Sequence, residues 1–174
     1  MRFFLAGIMQ GSHTTAALHD QEYRPRIAQL LHEHFADAEV YDPLAEHNGS
    51  LGYGEATGRE VFFGHNLMCR QIDVLVAFLP EASMGTAIEM WEAFRHGAAV
   101  VSIGPLRVNW SVRFLSHAIY DDVEAFAAAI RSGELARCVA AVRAAKPQAM
   151  ARHGETASDV QAAHVIAVPP IPNP

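Results

Sequence analysis

Apolar residues in this chain gather into short unbroken runs, separated by longer stretches with helical spacing. The runs are Phe3 to Ile8, Val40-Tyr41 within Glu39 to Pro43, Asp73 to Leu79, Ala98 to Ile103 and His117 to Tyr120. Short continuous apolar runs bounded by turn residues are what strands buried on both faces of a parallel sheet require. Between them, Tyr23, Ile27, Leu30, Leu31 and His34 recur at helical spacing and predict a helix from His19 to Phe35, with Arg24 and Arg26 on other faces. Val61, His65, Met68 and Ile72 do the same for a helix from Val61 to Ile72. Further helices are predicted after Ser83 through Phe94, from Asp121 to Ile130, and from Glu134 to Ala145. The connection from Leu44 to Gly58, rich in Gly, Asn, Ser and Glu, is too long for a tight turn and is expected to be a functional lid. Gly104 to Ser116 reads as a loop followed by a short amphipathic turn.

Strand signals that alternate with helices predict an α/β protein, a single domain with a five-stranded parallel sheet in a three-layer αβα sandwich. The expected strand order is the flavodoxin-like, Rossmann-like 2-1-3-4-5. A length of 174 residues suits one domain. The domain is expected to span residues 1–146. Residues 147–174, rich in Pro and Ala and ending Ala167-Val-Pro-Pro-Ile-Pro-Asn-Pro174, are expected to be a flexible or subunit-exchanged tail.

Composition narrows the partners. Hydrophobic residues at 51% and charged residues at 18% describe a globular chain, and a net charge of −6 argues against a nucleic-acid groove. No apolar run has the length of a membrane span, and Met1 to Gly7 is too short for a signal peptide's apolar region, so a cytoplasmic location is expected. In that compartment Cys69 and Cys138 are read as free thiols.

Candidate chemistry lies at two strand-to-loop junctions. After the buried run ending at Leu79-Pro80 comes Glu81-Ala82-Ser83-Met84-Gly85-Thr86-Ala87-Ile88-Glu89. A helix start carries unpaired N–H groups and a positive dipole end, which favours an ionised carboxylate, and in open α/β sheets ligands bind beyond the carboxyl ends of the strands. Glu89 is therefore a candidate nucleophile, with Ser83, Met84, Gly85 and Thr86 as candidate ligand contacts. The first run ends in the loop Gly7-Ile8-Met9-Gln10-Gly11-Ser12-His13, whose glycines and polar residues suit backbone contact to an anionic or hydroxylated ligand. It is neither a dinucleotide fingerprint nor a phosphate loop. His65 points where its apolar neighbours point. His32 and His34 cannot share an ion, being two apart on a helix, and neither a metal nor a cofactor is expected.

Ser-x-Gly-Thr-x-x-Glu after a buried strand, followed by Gly97-Ala-Ala-Val-Val-Ser-Ile103, resembles the nucleoside 2-deoxyribosyltransferase-like superfamily. The likeness extends to Arg2-Phe-Phe-Leu-Ala-Gly7 and covers roughly residues 1–130. The resemblance implies the same fold and an enzyme that cleaves the N-glycosidic bond of a nucleoside or nucleoside 5′-monophosphate, with Glu89 attacking the anomeric carbon. It places the first loop on the sugar or 5′-phosphate, and puts His65 where these enzymes carry an Asp that protonates the departing base. It also implies a homodimer or larger homo-oligomer in which a neighbouring subunit completes the pocket; Asn109, Trp110 and Ser111 are the nearest candidates. Ser83, six residues before Glu89, matches the nucleotide hydrolases rather than the transferases. The hydrolases' first-loop Arg is missing near Gln10, so His13, Arg24 or a neighbour's Arg113 would supply positive charge. The alternatives are base exchange by a deoxyribosyltransferase, NAD glycohydrolase activity, and a flavodoxin-like or receiver-like binding module without catalysis.

Overall fold

The computed structural model describes residues 1–11, 13–15 and 17–153. Five strands, β1 (Arg2–Gly7), β2 (Glu39–Tyr41), β3 (Val74–Phe78), β4 (Ala99–Ile103) and β5 (Ala118–Tyr120), form one parallel sheet in the order β2-β1-β3-β4-β5. The registers Gly7↔Phe78 and Phe78↔Ile103 bring the ends of the three central strands level. Because parallel strands need crossover connections, helices fill both faces.

Alternation along each strand sorts the core into two layers. Phe3, Leu5, Val74, Val76, Val101 and Ile103 pack under α1 (Tyr23–His34), α6 (Val123–Arg131) and α7 (Glu134–His153). Phe4, Ala6, Leu75, Ala77 and Val100 pack under α4 (Met84–Arg95) and α5 (Trp110–Leu115), with Cys69 and Ile72 just beyond α3 (Glu55–Met68). This is the expected three-layer sandwich with the expected strand order. At the end of β4, Gly104 has a φ of 144° and a Cβ there would strike the carbonyl of Leu79, so only glycine lets the two loops pass.

The differences from the sequence reading have local causes. α1 begins at Tyr23, not His19, because residues 19–22 fold back on the first loop: the amide of His19 donates to the carbonyl of Met9 at 2.8 Å. The expected lid contains α2 (Pro43–Glu46) and a 3-10 turn at Ser50–Gly52, and α3 starts at Glu55 rather than Val61. Asp42 caps α2 through its side chain with Pro43 in the first turn, so the residue read as a strand stop is a helix start. Gly58, a poor helix former, lies inside the first turns of α3 and concealed them. α7 runs on to His153, past the boundary drawn at Lys146, and the tail expected beyond it lies outside the described residues from 154 on. The two cysteines are free.

Candidate functional site

The sheet reverses direction of winding between β1 and β3, which is where such folds bind ligands. The loop after β1 is largely occupied with itself. Ile8 is fully buried; its amide donates to the carbonyl of Phe78 at 3.1 Å, and its carbonyl accepts from Gln21 Nε2 at 3.0 Å and the Tyr23 hydroxyl at 3.4 Å. Gly7 is required by packing, since a Cβ there would meet the Tyr23 hydroxyl. The Gln10 carbonyl accepts from the amide of His13 at 3.0 Å, while its side chain is exposed, and Gly11 has a φ of 56°. Met9 is half-buried, His13 stacks on His19 at 4.4 Å, and Ser12 lies outside the described residues.

Glu89 stands on α4, half-buried, with carboxyl oxygens that still reach open space. No hydrogen bond or ion pair engages that carboxyl among the described residues, and burial pushes it up to about 8, against the downward pull of Arg24. Tyr23 is pushed up to about 12, chiefly by burial with the charge of Glu89 contributing, and the buried Cys69 thiol is raised by burial and then by Glu89. Glu89 is therefore coupled through its charge to Tyr23, Arg24 and Cys69. Arg24, read as lying on another face of its helix, is buried to 2%: Nε donates to Gln21 Oε1 at 2.7 Å, and Nη1 donates to the Leu5 carbonyl at 3.0 Å and to Asp42 Oδ1 at 2.8 Å.

His65 belongs to a second group, over Phe4. Its Nε2 is 3.1 Å from the Tyr41 hydroxyl, its ring stands 5.3 Å from that of His47, and His47 Nδ1 is 3.2 Å from the Tyr53 hydroxyl. Burial first, and then the neighbouring His47, lower His65 to about 4, so at neutral pH the ring is uncharged. The connection read as a lid delivers His47 and Tyr53 to this group, whereas Tyr41 was missed. Its place at the end of β2, beside the other strand ends, was the available signal.

A third group lines a pocket of about 150 Å³ between the start of α4 and α5: Ser83, Met84, Ala87, Met90, Asn109 and Ser111. Ser83 caps α4; its Oγ accepts from the Thr86 amide at 3.4 Å and the Thr86 hydroxyl at 3.0 Å, which leaves the Ser83 proton free to donate outward. Thr86 is buried, Met84 is 83% exposed at the rim, and Gly85 has open space where a Cβ would be. Asn109 caps α5 by accepting from the amides of Ser111 and Val112 at 3.0 and 3.3 Å. Glu89 does not line this pocket; it lies around α4 from it. Among the described residues no three His, Cys, Asp or Glu side chains are grouped to hold a metal.

The 2-deoxyribosyltransferase of Bacillus psychrosaccharolyticus superposes on 71% of this chain and 88% of its own, with a TM-score of 0.55 and 17% identity. The chain shares that transferase's fold. A CMP N-glycosidase of Clostridium botulinum, BcmB, matches at a TM-score of 0.44 and 18% identity over 78% of this chain and 99% of its own. No protein-family model matches the chain, and no curated protein does by sequence. The transferase fold agrees with the one expected from Ser83 to Glu89 and from the alternating strands. In this chain Glu89 lies on α4, the helix that follows β3.

Proposed function

We propose that this protein cleaves the N-glycosidic bond of a nucleoside 5′-monophosphate or nucleoside through a glycosyl ester on Glu89. The observation that supports it most is a carboxyl held without a hydrogen-bond partner among the described residues, beside the strand ends of a fold shared with a 2-deoxyribosyltransferase. A carboxylate suits the chemistry because the transition state is oxocarbenium-like, and the anion stabilises it before bonding. The Glu89 oxygen bonds to the anomeric carbon as the C–N bond breaks, its electron pair leaving with the base. Water then hydrolyses the ester, releases the sugar and restores the carboxylate.

Positive charge developing on the sugar next to Glu89 favours the ionised form that burial alone opposes. Ser83 offers a hydroxyl proton to a 5′-phosphate, and the free N–H groups of the first turn of α4 favour an anion. Arg24, being committed to Asp42, Gln21 and Leu5, is an unsuitable phosphate ligand. That commitment favours a second reading, in which a free nucleoside is bound and another base, instead of water, takes the sugar.

Assembly as a homo-oligomer fits the surface. Met84, Ile88 and Trp91 on α4 are exposed next to Val108, Trp110 and Phe114, and a second copy of this chain would cover them. Light scattering behind a sizing column would read a multiple of 19.0 kDa if so, and a single chain's mass if not. Among the described residues no helix is long and apolar enough to cross a membrane, and the free cysteines suit a reducing cytoplasm.

The activity test is to incubate the protein with a panel of nucleosides, nucleotides and NAD and to identify free bases by chromatography. Base released in water supports hydrolysis, and release only with a second base supports transfer. Nicotinamide from NAD alone would mark a NAD glycohydrolase, and no release from any substrate would overturn the proposal.

A further inference from the structure

Tyr41 ends β2 and stacks on Phe4, with centroids 5.6 Å apart and planes at 22°. His65 meets both rings edge-on, at 6.0 Å from Phe4 and 5.6 Å from Tyr41. The imidazole is thus wedged in one orientation, with Nε2 3.1 Å from the phenol oxygen.

Either partner could donate across that distance, and acid strength separates the two arrangements. A phenol is a better proton donor than a neutral imidazole N–H, and an imidazole nitrogen is a better acceptor than a phenol oxygen. Burial raises the Tyr41 hydroxyl, with Glu46 and Asp42 adding to it, so the phenol keeps its proton. The other ring nitrogen, Nδ1, has no hydrogen-bond partner among the described residues, yet it is not among the buried atoms left unpaired. It therefore faces open space.

We propose that Tyr41 is a positioning residue for His65, donating to Nε2 and so holding the ring as the Nδ1–H tautomer, which presents one neutral N–H donor to the departing base. The target of that donor rests on the glycosidase reading; the tautomer does not. Which nitrogen of a histidine carries the proton is set by the bond the other nitrogen makes. A second tyrosine-histidine couple, Tyr53 and His47, lies beside the first, and a proton on His47 would oppose one on His65. The base then leaves with the electron pair of the broken bond, held by a hydrogen bond from Nδ1, and takes its proton from solvent. Such a donor suits a base that offers a ring nitrogen or carbonyl oxygen, and disfavours one that offers only an amino group.

The test is a long-range proton-nitrogen correlation spectrum of the histidine rings in 15N-labelled full-length protein at neutral pH, with His65→Gln assigning the signal. The wild type is expected to show His65 protonated at Nδ1 and bare at Nε2. Tyr41→Phe is expected to return the ring toward the Nε2–H form that free histidine prefers. It should also slow base release roughly three- to tenfold, the worth of one hydrogen bond, with KM little changed. A wild-type ring protonated at Nε2, or an unaltered tautomer in a folded Tyr41→Phe, would overturn the proposal. The wild-type spectrum decides even if the variant fails to fold. It also decides if no substrate is cleaved, a result that would count against the glycosidase reading alone.

Discussion

Arg24 and Asp42 are joined by a 2.8 Å ion pair in which the arginine is 2% exposed and the aspartate 19%. The same Asp42 oxygen accepts the amide of Leu44 at 3.0 Å, and the same guanidinium nitrogen holds the carbonyl of Leu5. One buried pair thus fastens the start of α1 to the ends of β1 and β2. It also places the cation that draws Glu89 toward ionisation.

That arrangement fixes a pH dependence. Glu89 acts only as an anion in the proposed chemistry, so kcat/KM should rise with pH through about 8, where its carboxyl titrates. Arg24→Gln removes the one opposing influence and should move this limb to higher pH. Because it also leaves Asp42 partly buried without its cation, a loss of stability of about 3 kcal/mol is expected. A pH-rate profile of both proteins, with thermal melts alongside, reads the two effects separately. A limb near 4 to 5 in the wild type would show that Glu89 is already ionised in the free protein.

Glu89→Gln should abolish nearly all base release while stabilising the fold at alkaline pH. The folded carboxyl titrates above its ordinary value of 4.5, so the native state binds the proton more tightly than the unfolded chain. Stability is therefore lost in the wild type as pH rises from 4.5 toward 8, and the amide is spared that loss. The gain should be negligible at pH 4 and of order 1–3 kcal/mol at pH 9, after allowance for relaxation and water entry around the group. Urea melts across that range measure it; a difference that shrinks with rising pH would contradict the buried-acid assignment.

Gly85→Ala separates folding from function. The residue lies in the first turn of α4 with open space where a Cβ would be, so alanine should stabilise the protein by about 0.5–1 kcal/mol. If a substrate approaches that turn closely, the same methyl should raise KM. A variant that melts higher and binds substrate as well as the wild type would remove Gly85 from the binding surface.

Ser83→Asp tests the phosphate reading. Aspartate can still cap α4, so the fold should hold, but its charge would stand where the Ser83 proton is offered. Nucleotide binding should weaken by of order 1–3 kcal/mol, and activity on free nucleosides should change far less. Equal damage to both substrate classes would favour the transferase alternative.

The sheet was legible in the sequence because its strands are buried on both faces and so are continuous apolar runs. Helix starts were harder: Pro43 ends a strand and opens a helix with equal justification until Asp42 is seen capping it. The places of Ser83 at the start of α4 and of Glu89 within it were legible through their spacing. The surroundings that tune Glu89 were not, because Arg24 reads as an ordinary surface arginine until its three hydrogen bonds, two of them to residues distant in the chain, draw it inside. Tyr41 was hidden for a related reason, since its relation to His65 depends on how a three-residue edge strand is placed against α3.

α4 leaves no side of itself idle. Thr86, Met90 and Ala93 are buried, Glu89 feels the charge of Arg24, Ser83 and Ala87 border the pocket, and Ile88 and Trp91 are presented outward. Glu92, one turn on from Glu89, is tied to Arg70 of the segment after α3 at 2.8 Å. In a saturation scan of substitutions, this helix should consequently tolerate little change beyond the open position at Gly85, and insertion of one residue should disable it by rotating these roles out of place. The exposed turn of α1 around His32 and His34, which carries no such duties, should accept nearly anything that keeps it helical.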